Sequence, residues 1–362
     1  MRLCVYSDSE VFGGAETVLG HLVAELDPAV EVTVMGVDPA TVERIAAGRP
    51  SASAVVLPPV RGKFDLVRMW AHRRAIATAR PDVFQINSTW LWSCRYALAA
   101  SLTVPGVAVV AVEHSLFEAH YRRARVLKGW MSSRLAAHVT VGRSLCRTIE
   151  EAVGLAPGSV EAIPNGVPTA RVTPRRLEGD GPVIGTAARI EPAKRIHLLL
   201  DAVVDRHDVR VAVVGDGPGR GHLERVASAL AMTDRLHITG WTDDARSWIA
   251  GRDGVVLPSA REAMPLSVIE AMLAGVPVVA TRVGAVPDAI RDGETGLLVE
   301  PSDDLALRDA VRRVLDDPAL AKRLGEAGRA FAEEHLTAAA MARGYERLYE
   351  RVAPAWRSPA SR

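Results

Sequence analysis

The chain is expected to be α/β, with two Rossmann-like doubly wound domains facing across a cleft, and three observations carry that expectation. Its 362 residues exceed one ordinary core and suit two domains of roughly 150 to 180 residues. Short Val-rich runs alternate with helical patterns throughout, which implies parallel sheets covered by helices on both faces. The alternation occurs twice, broken by residues 169–181 (TARVTPRRLEGDG), a basic, Pro- and Gly-punctuated stretch with no hydrophobic period.

Strands are expected at Arg2 to Tyr6, Glu31 to Val37, Asp82 to Ile86, Val107 to Val112 and His138 to Val141 in the first half. In the second half they fall at Val183 to Ala187, Val209 to Val214, Leu236 to Thr239, Val255 to Leu257 and Val276 to Ala280. The domains so delimited are 1–168 and 182–337, joined by the 169–181 linker. A last helix after Leu336 carries Tyr345, Leu348 and Tyr349 on one side. Open parallel sheets bind ligands beyond the carboxyl ends of their strands, so the residues just after each run are the candidates for function.

A hydrophobic content of 48% with a formal net charge of +1 describes a globular protein without the basic bias of a nucleic-acid binder. Three dispersed cysteines, Cys4, Cys94 and Cys146, have no metal-binding spacing and suit a reducing compartment. No apolar run approaches the roughly 20 residues of a membrane span, and a strand begins at Arg2, so a cytoplasmic location is expected.

Residues 255–281 (VVLPSAREAMPLSVIEAMLAGVPVVAT) hold the densest chemistry. An apolar strand ends at Pro258-Ser259, a polar loop follows, and Pro265 begins a run of helix formers that closes at Gly275. A helix N-terminus offers unpaired N–H groups and about half a positive charge, so the turn at Met264, Leu266 and Ser267 suits a phosphate. Glu262 precedes that turn and Glu270 lies about one turn inside the helix. They are too far apart for one acid/base pair but well placed to hold hydroxyls on either side of a phosphate.

Elsewhere, Arg189 and Lys194 follow the first strand of the second half, a planar fork and a point charge that together can neutralise a diphosphate without a metal. Gly215-Asp216-Gly217-Pro218 is a glycine turn after a strand, and Gly240-Trp241 follows the next strand. Phe12-Gly13-Gly14-Ala15-Glu16 joins the first strand to a helix and allows a tight turn whose amides can approach an anion. His114 ends the strand Val107 to Val112 at the expected ligand edge. Arg61 to Arg80 and Tyr121 to Arg134 combine basic with aromatic residues, a pattern that suits contact with an anionic membrane or a phosphorylated acceptor and equally solvated helix faces beside an ordinary acceptor loop.

The Glu262, Met264, Pro265, Glu270, Ala271 and Met272 pattern resembles the donor-binding signature of family 4 retaining glycosyltransferases of the GT-B fold. The resemblance is dense from Pro164 to Gly296 and thinner in the first half. It implies that Glu270 accepts from a nucleotide ribose, Glu262 from sugar hydroxyls, and the turn from Met264 to Ser267 holds the distal phosphate. Arg189 and Lys194 would clamp the diphosphate, with Gly215, Gly217 and Trp241 near the base and ribose. Gly13 and Gly14 would face phosphate and acceptor, His114 the reacting sugar, and helix 338–355 would brace the N-terminal domain.

Two departures stand out. Ala263 and Arg195 occupy positions where the family usually has Gly, and a positive φ at Ala263 would cost about 1 kcal/mol or more. The implied activity is metal-independent transfer of a sugar from a UDP- or GDP-sugar to a glycan, lipid-linked or small-molecule acceptor, at most touching the inner face of the cell membrane. The alternatives are a sugar-nucleotide epimerase and a non-catalytic partner subunit.

Overall fold

The computed structural model describes residues 1–90, 92–114 and 122–353, with the side chains of 122–125 outside that description. Tyr121, the basic side chains of Arg122, Arg123 and Arg125, and positions 354 and 355 therefore lie outside the described residues. The chain forms two compact units, Met1–Pro168 with the segment from Ala338 onward, and Thr169–Thr337.

The first unit is built on a parallel seven-stranded sheet of β1 (Arg2–Ser7), β2 (Glu31–Gly36), β3 (Ser53–Val56), β4 (Val83–Ser88), β5 (Ala108–Glu113), β6 (Ala137–Thr140) and β7 (Val160–Ala162), ordered β3-β2-β1-β4-β5-β6-β7. The central strands β1, β4 and β5 are buried almost throughout; β1 and β5 are accordingly mainly apolar, while β4 buries Gln85, Asn87 and Ser88 beside its apolar residues. Its helices are α1 (Gly14–Glu25), α2 (Pro39–Ala46), α3 (Leu66–Ala79), α4 (Arg95–Ser101), α5 (Arg122–Ser132) and α6 (Arg143–Val153). Asp38 and Asp65 cap α2 and α3 by accepting from the N–H groups of Thr41 and Arg68.

The second unit carries a parallel six-stranded sheet of β8 (Val183–Ala187), β9 (Arg210–Val214), β10 (Leu236–Ile238), β11 (Gly254–Leu257), β12 (Val278–Thr281) and β13 (Leu297–Val299), ordered β10-β9-β8-β11-β12-β13. Around it lie α7 (His197–Ala202), α8 (Arg220–Ala229), α9 (Ala245–Ala250), α10 (Leu266–Leu273), α11 (Val286–Ala289), α12 (Asp304–Asp316) and α13 (Pro318–His335). The stretch 169–181 runs along this unit: the Arg175 N–H donates to the Ser247 carbonyl and its guanidinium stacks 4.5 Å from the Trp248 ring.

The final helix, α14 (Ala338–Val352), packs on α1 in the first unit. Tyr345 and Tyr349 are fully buried, the Tyr349 hydroxyl donates to Gln85 Oε1 on β4 at 2.5 Å, and Glu346 accepts from the Asp27 N–H. Strands β3, β7 and β13 were not expected from sequence. Each is an edge strand of three or four residues, too short to show a period.

α5 is fastened by a buried ion pair. Lys128, 2% exposed, lies 2.8 Å from Glu113 Oε1, and His138 Nε2 approaches the same oxygen at 3.3 Å. Burial pushes the Glu113 carboxyl up, but Lys128 and His138 outweigh it and hold it below the usual range. Lys128→Met leaves that carboxylate buried without its cation and should cost about 3 to 5 kcal/mol in urea unfolding, with much of the loss recovered in Lys128→Met/Glu113→Leu. A loss below about 1 kcal/mol in the single variant would contradict the buried charge.

Candidate active site

In the second unit every candidate loop follows the carboxyl end of a strand, so the sheet order sets which of them are neighbours. From β10 inward come Gly240-Trp241, then Gly215 to Pro218 after β9, Arg189 to Lys194 after β8, Ser259 to Met264 after β11, and Val283-Gly284 after β12. The strand order reverses between β8 and β11, the place where open α/β sheets leave a crevice. Lys194 and Glu262 meet there.

Lys194 Nζ lies 2.9 Å from both Glu262 oxygens, and the Ser259 hydroxyl donates to Glu262 Oε1 at 2.6 Å. Ser259 is held in turn, because Thr281 Oγ1 donates to its carbonyl at 2.6 Å. Two backbone bonds tie the loops together, Ala260 N–H to the Ala193 carbonyl and Ala285 N–H to the Ala263 carbonyl. Gly284 makes the second possible: its φ is +52°, and a Cβ would stand 1.8 Å from the Glu262 carbonyl oxygen. Ser259, Thr281 and Gly284 escaped the sequence reading because their roles exist only across neighbouring strands.

Arg189 is exposed and makes no ion pair among the described residues, so the two cations differ: one guanidinium is open, one ammonium is engaged. The glycine turn after β9 explains how Arg189 is carried. A Cβ at Gly215 or Gly217 would lie 2.2 Å from the Ala188 carbonyl or 2.4 Å from the Ile190 carbonyl, so these glycines admit the chain's own backbone on either side of Arg189. Close approach to a ligand was the expected reason; close approach to this segment is the observed one.

Helix α10 begins after Pro265 with no side-chain cap, leaving the first-turn N–H groups of Leu266 and Ser267 without an intrahelical acceptor. Met264 and Ser267 are buried. Glu270, one turn in, is half-buried; burial raises its pKa to about 7, against the pull of Arg246. Trp241 is 67% exposed, not packed in a core. Ala263 is not among the positive-φ residues, so its Cβ brings no strain. The strained departure is Arg195, at φ 48° and ψ 36°, a conformation that costs a side-chain-bearing residue about 1 to 2 kcal/mol. Its guanidinium pairs with Asp304 at 3.1 Å.

In the first unit the strand order reverses between β1 and β4. After β1, Gly13 is the N-cap of α1 in an extended conformation, and neither Gly13 nor Gly14 has positive φ, so the expected tight turn is an ordinary helix entry. The buried Glu16 carboxylate secures it, accepting from the Gly13 N–H and the Ser7 hydroxyl at 3.1 Å each. A Cβ at Gly14 would meet nothing within 4 Å among the described residues. His114 follows β5, its Nε2 2.7 Å from Asn87 Oδ1, and burial lowers its pKa to about 4, with Glu113 pulling the other way. The ring is neutral at pH 7.

Residues 12–171 match the family described as Glycosyltransferase Family 4, and residues 173–331 match Glycosyl transferases group 1. The MMP alpha-(1->4)-mannosyltransferase of Mycolicibacterium hassiacum is 30% identical over 83% of this chain and 75% of its own length. The lipopolysaccharide core biosynthesis glycosyltransferase LpsE of Rhizobium meliloti is 34% identical over 41% of this chain; the match spans 44% of that relative, less than half its length. Among solved structures, Anabaena Alr3699/HepE in complex with UDP-glucose has a TM-score of 0.83 at 18% identity, covering 98% of this chain and 100% of that one, which is a likeness of fold. With two parallel-sheet α/β units and these matches along its length, the chain belongs to the family 4 glycosyltransferases and has the GT-B fold.

Proposed function

We propose that the protein is a retaining, metal-independent glycosyltransferase that moves a sugar from a UDP- or GDP-sugar to an acceptor hydroxyl on a membrane-borne glycan, at the cytoplasmic face of the membrane. The observation that carries this reading is the contact of Lys194 with Glu262 at the reversal point of the second sheet, in the loop that leads into the uncapped start of α10. A diphosphate there would find N–H groups, a lysine ammonium and the open Arg189 guanidinium, which together can stabilise its charge. Glu262 would exchange part of its hold on Lys194 for sugar hydroxyls, and Glu270 would accept from the ribose.

In this reading the second unit holds the donor and the first meets the acceptor. The bond from sugar C1 to the phosphate oxygen breaks with its electron pair going to the phosphate. The acceptor oxygen bonds to C1 on the same face, and its proton passes to the departing phosphate. The protein's part is electrostatic, so no general base is assigned.

Membrane contact is supported by the helices on one face of the first sheet, where α3, α4 and α5 share a core through Ile76, Leu98 and Met131. Exposed on these helices are Leu66, Val67, Trp70, Val126, Leu127 and Trp130, and in the loops that precede α3 and α4, Phe64 and Trp90. Exposed Arg61, Lys63, Arg73, Arg74 and Arg134 lie among them, with Arg134 stacked 3.8 Å over the Trp130 ring. Aromatic and aliphatic groups set among cations suit an anionic bilayer surface. Among the described residues no helix is long and apolar enough to cross a membrane.

Three outcomes test the reading. Because a ribose donates to the ionised Glu270 carboxylate, affinity for the preferred nucleotide should fall as pH drops below about 7, by up to tenfold per unit, and Glu270→Gln should flatten that dependence; a pH-independent wild-type affinity in calorimetric titration would remove Glu270 from the site. Gly14→Ala should stabilise the fold by about 0.5 kcal/mol yet lower turnover, since the Cβ takes up space left for ligand; unaltered turnover would show the space is not used. The protein should sediment with phosphatidylglycerol vesicles, less with phosphatidylcholine alone, and less again as Trp70→Glu. Failure to bind either would point to a soluble acceptor.

A further inference from the structure

We propose that Asn87 is a positioning residue that fixes His114 as a neutral hydrogen-bond acceptor toward the sugar, an inference that rests on the reading of His114 as a group that meets the reacting sugar. Asn87 is buried near the carboxyl end of β4, beside β1 where the order of the first sheet reverses. Both ends of its amide are used. Nδ2 donates to the Ala15 carbonyl in the first turn of α1 at 3.2 Å, and Oδ1 lies 2.7 Å from His114 Nε2.

Directionality follows from chemistry alone. The Ala15 carbonyl can only accept, so it sets which way round the amide lies. Asn87 Oδ1 can likewise only accept, so the imidazole hydrogen sits on Nε2. In the neutral ring Nδ1 then keeps its lone pair and, with no hydrogen-bond partner among the described residues, can receive a hydroxyl proton of donor or acceptor. A neutral ring also places no positive charge beside a sugar that becomes cation-like as its bond to phosphate breaks.

The surrounding charges are engaged elsewhere. Glu113, next to His114 on β5, pairs with Lys128 on α5 and His138 on β6. Asp8, after β1, accepts from the Cys94 N–H and thiol ahead of α4, and Glu16 on α1 accepts from Ser7 and Gly13. The Ala15–Asn87–His114 chain also joins the glycine loop to the imidazole, so one residue orients both.

The test begins with the full wild-type chain. With 15N-labelled histidine, and His114 assigned by the signals lost in His114→Gln, NMR between about pH 6 and pH 8 should find Nε2 protonated and Nδ1 bare. A protonated Nδ1, or a cationic ring at pH 7, would overturn the proposal. Asn87→Asp then supplies the kinetic arm: it keeps an acceptor for Nε2–H but adds a negative charge, which raises the His114 pKa and fills Nδ1. Its kcat should drop about tenfold for each unit by which that pKa exceeds the assay pH, and recover as pH rises, with the donor KM little altered. A pH profile parallel to wild type would overturn the positioning role. Full turnover in His114→Gln would instead remove His114 from the chemistry, an outcome the NMR result does not depend on.

Discussion

The ion pair between Lys194 and Glu262 is the contact on which the second unit's site depends. It joins the loop after β8 to the loop after β11 across the reversal in strand order, so two segments 68 residues apart in sequence present their polar groups together. With Lys194 20% and Glu262 7% exposed, the pair is largely withdrawn from water, and the cost of desolvating both charges offsets much of their attraction, so its net worth to stability is modest. Its value is positional. Ser259 fixes the carboxylate, Thr281 fixes Ser259, and Gly284 lets β12's loop close on the Glu262 backbone. A constellation held this way needs little rearrangement when a charged ligand arrives.

The first unit solves a similar problem with different chemistry. Its polar groups lie on or next to β1, β4, β5 and β6, mostly buried, where each must be matched: Glu16 with Ser7 and the Gly13 N–H, Asp8 with Cys94, Glu113 with Lys128 and His138. Such matching is expensive to disturb, because removing one partner strands the other in a low dielectric. The same network holds the entry to α1, where a Cβ on Gly14 would meet no described atom within 4 Å.

Much of this was legible in the sequence, for identifiable reasons. Central strands such as β1 and β5 are buried on both faces and announce themselves as mainly apolar runs, whereas β3, β7 and β13 at the edges are short and carry no period. Residues whose chemistry is local were also visible: Pro265 starts α10, Glu270 falls one turn within it, and Arg189 and Lys194 share one loop. Residues whose roles arise across strands were not. Asn87, Ser259, Thr281 and Gly284 look like ordinary turn or strand positions until parallel pairing sets their loops side by side. Gly215 and Gly217 are visible for their missing Cβ, and the backbone that their bareness admits, at Ala188 and Ile190, is set by the pairing of β8 with β9. The strain expected at Ala263 is instead at Arg195, because backbone conformation cannot be read from residue type when the family's usual glycine is absent at both.

If Lys194 and its loop stabilise the charge on a departing diphosphate without a metal, steady-state sugar transfer in excess chelator by the wild-type protein and by Lys194→Ala, alongside nucleotide titration of both, will show it. The wild type should turn over in chelator, and Lys194→Ala should lose about a hundredfold in kcat while still binding nucleotide, as removal of a group that acts on transition-state charge does. Normal turnover by Lys194→Ala, or a wild-type enzyme silent until a divalent cation is supplied, would contradict it.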